Sequence, residues 1–400
     1  MNINPVGIAV PIFFLLMALE FFSAWWQKKS VYRINDTVAN LGCGIGDQLL
    51  GIFSKLFTVG IYAWVFEHYS LLQLDSENPW VWVAGFFLVD FCYYWYHRES
   101  HLVALFWATH SVHHQSEEYN LAVALRQSWF AKFFAWIFYI PLAIIGFSPL
   151  IFVLSYSINL FYQFWIHTKL IDRMGPFELV FNTPSHHRVH HGTNERYLDK
   201  NYAGVLIIWD RIFGSFQEEL PHDPPVYGVL APVESWNPIK TNTAPLQKLF
   251  VRAYRAPNWW TSLETLFQLP GWYHPSAPHP PSNSYGYDQD HKEAHIYAGI
   301  QFSCVTIAMT LVLTFCEYIT PWFLIPAVLC TILIPITISG YLEQKKWAVP
   351  LEGLRVTLFL GLLMINPYPS TTIIGMIIGM VGLLGFILFG RRNYSTQTTQ

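Results

Sequence analysis

Nine stretches of this chain are apolar, and eight of them approach the roughly 20 residues a helix needs to cross a bilayer. They run Val6 to Trp26, Leu49 to Phe66, Pro79 to Tyr96, Ser128 to Phe147, Pro149 to Ile166, Gly299 to Phe315, Pro321 to Gly340, the short Val356 to Ile365, and Thr371 to Phe389. Backbone inside hydrocarbon must satisfy its own hydrogen bonds, which a helix does within one segment. The expected fold is therefore all-α, a multi-span integral membrane helical protein. Charged residues make up 12% of the 400 and aromatics 18%, about half the usual charged share. That is too little charge to cover a soluble surface, which excludes disorder, coiled coil and a soluble single-core enzyme. Trp 17, Tyr 22 and Phe 31 suit aromatic belts at the two water interfaces. A net charge of −3 without a basic block leaves no footprint for nucleic acid.

Positive residues orient the spans. Lys28, Lys29 and Arg33 follow the first run, Lys345 and Lys346 precede the Val356 run, and Arg391 and Arg392 follow the last. The loop from His68 to Asn78 carries Asp75 and Glu77 but no Lys or Arg. An N-terminus outside places every basic cluster in the cytosol, and residues 97–127 and 167–298 on that same face. The first run lacks a basic leader and a small-residue cleavage site, so it reads as a retained span. Five divisions follow: N-terminal transmembrane helices (1–78), a core (79–218), a cytosolic or interfacial cap (219–298), C-terminal transmembrane helices (299–390) and a polar tail (391–400). The cap is rich in Pro, Trp and Tyr (Pro270, Trp272, Pro275, Pro278, Pro280, Pro281). The five cysteines lie mostly in apolar stretches without a CxxC pair and read as small buried residues.

The sixteen histidines are not spread evenly. His97 and His101 follow the third run; His110, His113 and His114 come next; His186, His187, His190 and His191 open the aqueous middle; His167 ends the fifth run. An HxxHH string arises by chance about 0.03 times in a chain of this composition, and here there are two. On a helix, residues three and four apart share a face, so each cluster points its imidazoles one way. Imidazole suits Zn, Cu, Fe and Ni, and one four-coordinate ion uses only four ligands. Eight to ten histidines therefore fit two metal ions in a cytosolic histidine-rich di-metal domain. A hydrolytic dizinc site would recruit a bridging carboxylate, whereas these clusters hang on apolar helix ends that a lipid chain can reach. That favours oxygen activation by iron. Metal-bound histidines usually donate their second N–H to a carboxylate or carbonyl. Asp90, inside a span, and Glu118 are the candidate catalytic carboxylates, and Asp199 and Asp210 either orient ligands or cap turns. His68, His222, His274, His279, His291 and His295 read as surface or hydrogen-bonding residues.

The series His97xxxHis101, His110xxHis113His114 and His187xxHis190His191 resembles the fatty acid hydroxylase and sterol desaturase superfamily of membrane di-iron enzymes. The strings DFCYYWYHR (90–98), HHQSEEYNLAVALRQS (113–128), FYQFWIHT (161–168), NTPSHHRVHHG (182–192) and DKNYAGVLIIWDRIFGSF (199–216) look like its ether-lipid-cleaving branch, the alkylglycerol monooxygenases. The resemblance implies a di-iron centre, in which zinc often substitutes on isolation, O2 as oxidant and a tetrahydropterin as reductant. It implies hydroxylation next to the ether oxygen of an alkylglycerol-type lipid drawn from the bilayer, giving a fatty aldehyde and a glycerol derivative. The family's glutamate after the second histidine, associated with pterin use, is Leu102 here, so another electron donor is also open. A sterol, carotenoid or fatty-acyl hydroxylase or desaturase would use the same metal site. A metal transporter would place ionisable groups at mid-membrane, not at span ends. The bacterial inner membrane and the endoplasmic reticulum are equally compatible with the sequence.

Overall fold

A computed structural model of the chain describes residues 5–270, 292–315 and 319–364, with isolated positions 383, 384 and 387. The expected last span, the polar tail, the Pro-rich part of the cap and Cys316 lie outside the described residues. Within them the chain is helical, and strand-like pairing is confined to isolated bridges such as Phe181 with Leu206 and Gly192 with Tyr227.

The helices are α1 (Pro5–Trp26), α2 (Ile34–Tyr69), α3 (Pro79–Leu102), α4 (Ala104–His114), the short α5 (Leu121–Ala124), α6 (Lys132–Ala135) and α7 (Ile140–Ile145), then α8 (Pro149–Trp165). After these come α9 (Pro184–His190), α10 (Ile208–Ile212), α11 (Pro238–Tyr254), α12 (Trp259–Phe267), α13 (Lys292–Phe315), α14 (Pro321–Leu342) and α15 (Ala348–Met364). Prolines open α3, α8 and α11, where a missing N–H costs nothing and φ is already helical. Asn78, Ser148 and Asn237 cap them, accepting from the backbone N–H of Trp80, Ile151 and Ile239.

Two departures from the sequence expectation matter for the site. α2 has 36 residues and is about 54 Å long, extending well before the apolar run that begins at Leu49. Its first half buries Asn35, Asp36, Asn40 and Asp47, so this half serves the polar centre. The run Ser128 to Phe147 is not one helix. It breaks into α6, a 3-10 turn (Trp136–Tyr139) and α7, because its first residues fold back on α2 and α11. Trp129 donates its indole N–H to the Cys43 carbonyl at 2.9 Å and its backbone N–H to Asn242, and Lys132 pairs with Asp47 at 2.8 Å. Glycines permit that approach: a Cβ on Gly44 would sit 2.2 Å from the Leu125 carbonyl oxygen, and one on Gly46 2.3 Å from the Trp129 ring.

Among the described residues apolar packing forms four clusters, two of them large. One core joins α1, the first half of α2, α13, α14 and α15 around Leu49, Val305, Leu313 and Ile338. The other joins the end of α2 to α3, α7 and α8 around Tyr62, Val89, Leu142 and Ile151. His295–Thr314 and Pro321–Leu342 are long and apolar enough to cross a bilayer, while Val10–Trp26 and Lys132–Ile145 are apolar but shorter. The end of α3, the whole of α4, the end of α8 and α9 enclose the polar space where the histidines meet.

Candidate metal centre

Nine histidines form two groups. His97, His101, His110, His114 and His190 make the first, and His113, His167, His187 and His191 the second. Within each, the nitrogens that can bind a metal lie within 4.8 Å of one another. The sequence reading let each box point one way; the structure splits the two HxxHH boxes. Their i and i+4 members stay together, His110 with His114 and His187 with His191, while the i+3 members, His113 and His190, turn to the other group. Helix geometry explains this: at 100° per residue the i+4 position lies about 40° from the first and i+3 about 60° to its other side. His97 and His101, also i and i+4, enter one group together. Of the ten histidines proposed as ligands, His186 stands apart, its ring edge-on to Phe216 at 5.3 Å.

The side chains present fit metal ions. Nε2 of His110 lies 3.0 Å from that of His97 and 3.2 Å from that of His114. Nε2 of His167 lies 3.2 Å from that of His113 and 3.0 Å from that of His187. Two imidazole nitrogens, each about 2.0–2.1 Å from one ion, stand about 2.8–3.4 Å apart at octahedral to tetrahedral angles. The buried Nε2 atoms of His101, His190 and His191 have no protein partner, a costly condition for neutral polar atoms unless an ion takes the lone pair. The two groups adjoin, with ring centroids of His114 and His191 at 4.3 Å and of His187 and His190 at 5.0 Å. Neither group includes a carboxylate.

Four of the nine rings are fixed from behind by a backbone carbonyl. Nδ1 of His97 donates to the Tyr202 carbonyl at 2.7 Å, of His113 to that of Arg126 at 3.1 Å, of His167 to that of Gln163 at 2.7 Å and of His190 to that of Lys200 at 2.9 Å. This selects the tautomer whose Nε2 lone pair points inward. Burial, then the neighbouring imidazoles, hold His110, His114, His187, His190 and His191 well below the ordinary histidine range. Burial above all takes His113 down to about 4. They are neutral at pH 7, as metal ligands must be.

The acidic candidates sit outside both groups. Asp90 is fully buried and accepts from Asn159 (2.6 Å), the backbone N–H of Val205 (2.9 Å) and Leu206 (3.1 Å), and the Trp209 indole (2.8 Å). It ties α3 to the chain that presents the Tyr202 carbonyl, and through Asn159 it reaches Gln163, whose amide bonds the Asn159 oxygen at 2.6 Å. Asp210 accepts from the backbone N–H of Tyr202 and Ala203, both at 2.8 Å, and burial raises it to about 6. Asp199 lies 3.6 Å from His101 Nδ1. Asp199 and Asn201 both adopt left-handed backbone, φ 57° and 55°, a conformation Asp and Asn tolerate better than most; between them Lys200 offers its carbonyl to His190. Glu118 is half-buried beside Lys169 at 3.5 Å, its carboxyl raised by burial.

One supporting residue escaped the sequence reading. Arg126, fully buried, donates to the Val112 carbonyl (2.6 Å), Asn40 (2.9 Å) and Gln115 (3.0 Å), while its own carbonyl takes the His113 ring. The available signal was a lone arginine in the apolar run LAVALRQSWF, where a charge requires partners. The remaining histidines stay apart: His68 donates to the Trp64 carbonyl, His295 contacts Asn35, His222 is exposed, and His274, His279 and His291 lie outside the described residues.

Residues 82–215, which hold all nine clustered histidines, match the fatty acid hydroxylase family model. The chain is 43% identical over 265 residues to the alkylglycerol monooxygenase of Homo sapiens, an alignment covering 66% of this chain and 59% of that protein. The same enzyme of Xenopus tropicalis is 41% identical, with 66% of this chain and 58% of the relative covered. An ornithine lipid hydroxylase of Rhizobium tropici is 26% identical over 54% of this chain and 65% of its own length. The chain thus spans under three fifths of the length of the two animal relatives. No solved structure matches. The part of the chain that carries both histidine groups, residues 82–215, is thus similar to the fatty acid hydroxylase family.

Proposed function

We propose that the chain is a membrane di-iron monooxygenase that hydroxylates an ether lipid. The observation that carries this is the pair of adjoining, all-imidazole groups at the ends of apolar helices. A metal pair held by the five- and four-histidine groups would supply the activation of O2. Zinc fits the same nitrogens and is inert to this chemistry. The protein's part is to keep the ligands neutral, fix the tautomers of His97, His113, His167 and His190 through backbone carbonyls, and exclude water with buried Tyr119 and Tyr202.

The membrane setting is supported by the two long apolar helices and by large exposed side chains: Leu15, Leu19 and Phe22 on α1, and Leu150, Ile158 and Phe161 on α8. A surface this apolar marks lipid contact. The basic residues favour an N-terminus outside and the histidine centre on the cytosolic face, in the endoplasmic reticulum or a bacterial inner membrane.

The alkylglycerol monooxygenase relatives favour an alkylglycerol-type substrate. One oxygen atom enters the C–H bond next to the ether oxygen and the other leaves as water, with two electrons and two protons from a reductant, for which tetrahydropterin is the first choice. The resulting hemiacetal breaks its C–O bond to give a fatty aldehyde and the free glycerol hydroxyl.

The test is fatty-aldehyde release from a labelled 1-O-alkylglycerol by membranes carrying the chain, with O2, with and without tetrahydropterin, beside His190→Ala. Aldehyde that requires pterin and His190 is expected, and would show that Leu102 is compatible with pterin. Iron-loaded protein that releases none would overturn the ether-lipid assignment and direct the search to sterol, carotenoid or fatty-acyl substrates.

A further inference from the structure

A polar pocket of about 370 Å³ opens beside the four-histidine group, and nothing in the chemistry above uses it. Its wall brings together three cations from separate parts of the chain: Lys29 just beyond α1, Lys169 two residues after His167, and Arg188 from within α9. Arg188 is the fixed member. Its guanidinium holds both oxygens of Glu219, at 2.9 and 2.7 Å, and donates to the carbonyls of Thr168 and Ile171. The other two are free to move: Lys29 is exposed, and Lys169 is loosely held, 3.5 Å from Glu118 with its ammonium 4.9 Å from the centre of the Tyr227 ring.

Two further observations locate the pocket. Trp25 and Trp26, four and three residues before Lys29, are 69% and 83% exposed, and indoles of this kind settle at the level of lipid headgroups. On the inner side, Tyr227 stacks on Tyr119 at 4.9 Å, and Tyr119 lies against His191 at 5.3 Å. The pocket is thus at headgroup depth and two stacked rings, Tyr227 and Tyr119, from the histidines.

We propose that this pocket receives the phosphate of a lipid headgroup. Lys29 and Lys169 supply ammonium donors, which act on phosphate as mobile point charges, and Arg188 with Glu219 forms a rigid floor. Asp172, on the same wall, faces the positive group that follows phosphate in a zwitterionic headgroup. The proposal rests on the lipid-oxygenase reading and adds a preference to it: phosphate-bearing ether lipids over neutral ones.

Equilibrium binding by the full chain in neutral detergent, without O2, tests this with four probes. They are a 1-O-alkyl-2-lyso-glycerophosphocholine, its ester-linked counterpart, the neutral 1-O-alkylglycerol and inorganic phosphate. Both phosphate-bearing lipids should bind about tenfold tighter than the neutral one. The ratio should fall toward one in Lys29→Gln and in the double variant Lys29→Gln/Lys169→Gln; the first changes an exposed side chain, so its folding is secure. An unchanged ratio in both variants overturns the proposal. Phosphate binding that lipid does not displace also overturns it, in favour of a soluble phosphate ester. The ester-linked lipid carries the headgroup without the ether, so loss of its preference in a chain that cleaves no ether would sink the ether-lipid reading alone. A preference that survives both variants in a chain that does cleave ethers would sink the pocket alone.

Discussion

At the scale of residues, the centre is neutral ligands held by neutral carbonyls, and its weak points follow from that. His190→Ala removes a nitrogen from the five-membered group and His113→Ala one from the four-membered group. Each should lose about one of two metal equivalents by elemental analysis while the chain still inserts in membranes; full metal content in either would remove that residue from the ligand set. His222→Ala, exposed and remote, should retain both. Arg126→Met should act on the fold and the site together, because Asn40, Gln115 and the Val112 carbonyl lose a charged donor in a buried setting, at about 1–3 kcal/mol per unpaired group. A fall in the thermal unfolding temperature with reduced metal content is expected. Acid has a defined sign here. The unfolded imidazoles titrate near 6.5, while burial holds His113 at about 4 and His110, His114, His187, His190 and His191 well below their ordinary range. Below about 6.5 the unfolded chain therefore binds more protons, and stability of the metal-free protein should decline steadily as pH falls toward 4, measurable by thermal unfolding across that range.

At the scale of elements, the sequence was informative where one residue type carries the signal and silent where long-range packing decides. The boxes were visible as histidine spacing, and the starts of α3 and α8 could be placed from their apolar runs and opening prolines. The division of the histidines between two groups was not visible, since i+3 and i+4 positions look alike on paper and only the facing helices separate them. Nor was the break at Ser128 to Phe147, which depends on Trp129 and Lys132 finding α2, more than 80 positions away. Gly44 offers a sharp check. In a free helix, replacing it with alanine gains about 1 kcal/mol; here the new methyl group meets the rigid Leu125 carbonyl oxygen, next to Arg126. Overpacking at about 1–3 kcal/mol should win, so Gly44→Ala is expected to lower the unfolding temperature and loosen metal retention.

At the scale of the whole molecule, the two apolar cores meet along α2, one packed on each half, and the polar centre lies beside the first half. Reporter fusions should place Asp75 and Asn194 on opposite sides of the membrane; the same side for both would refute the topology. The crossed allocation of the boxes has a mechanical consequence as well. Because α4 sends His110 and His114 to one group and His113 to the other, a small roll of this helix about its axis would move nitrogens of both groups at once. The same holds for α9 in the opposite sense, through His187 and His191 against His190. The two groups are geared to one another, and a lipid or partner that leaned on either helix would shift the balance between them without touching a histidine.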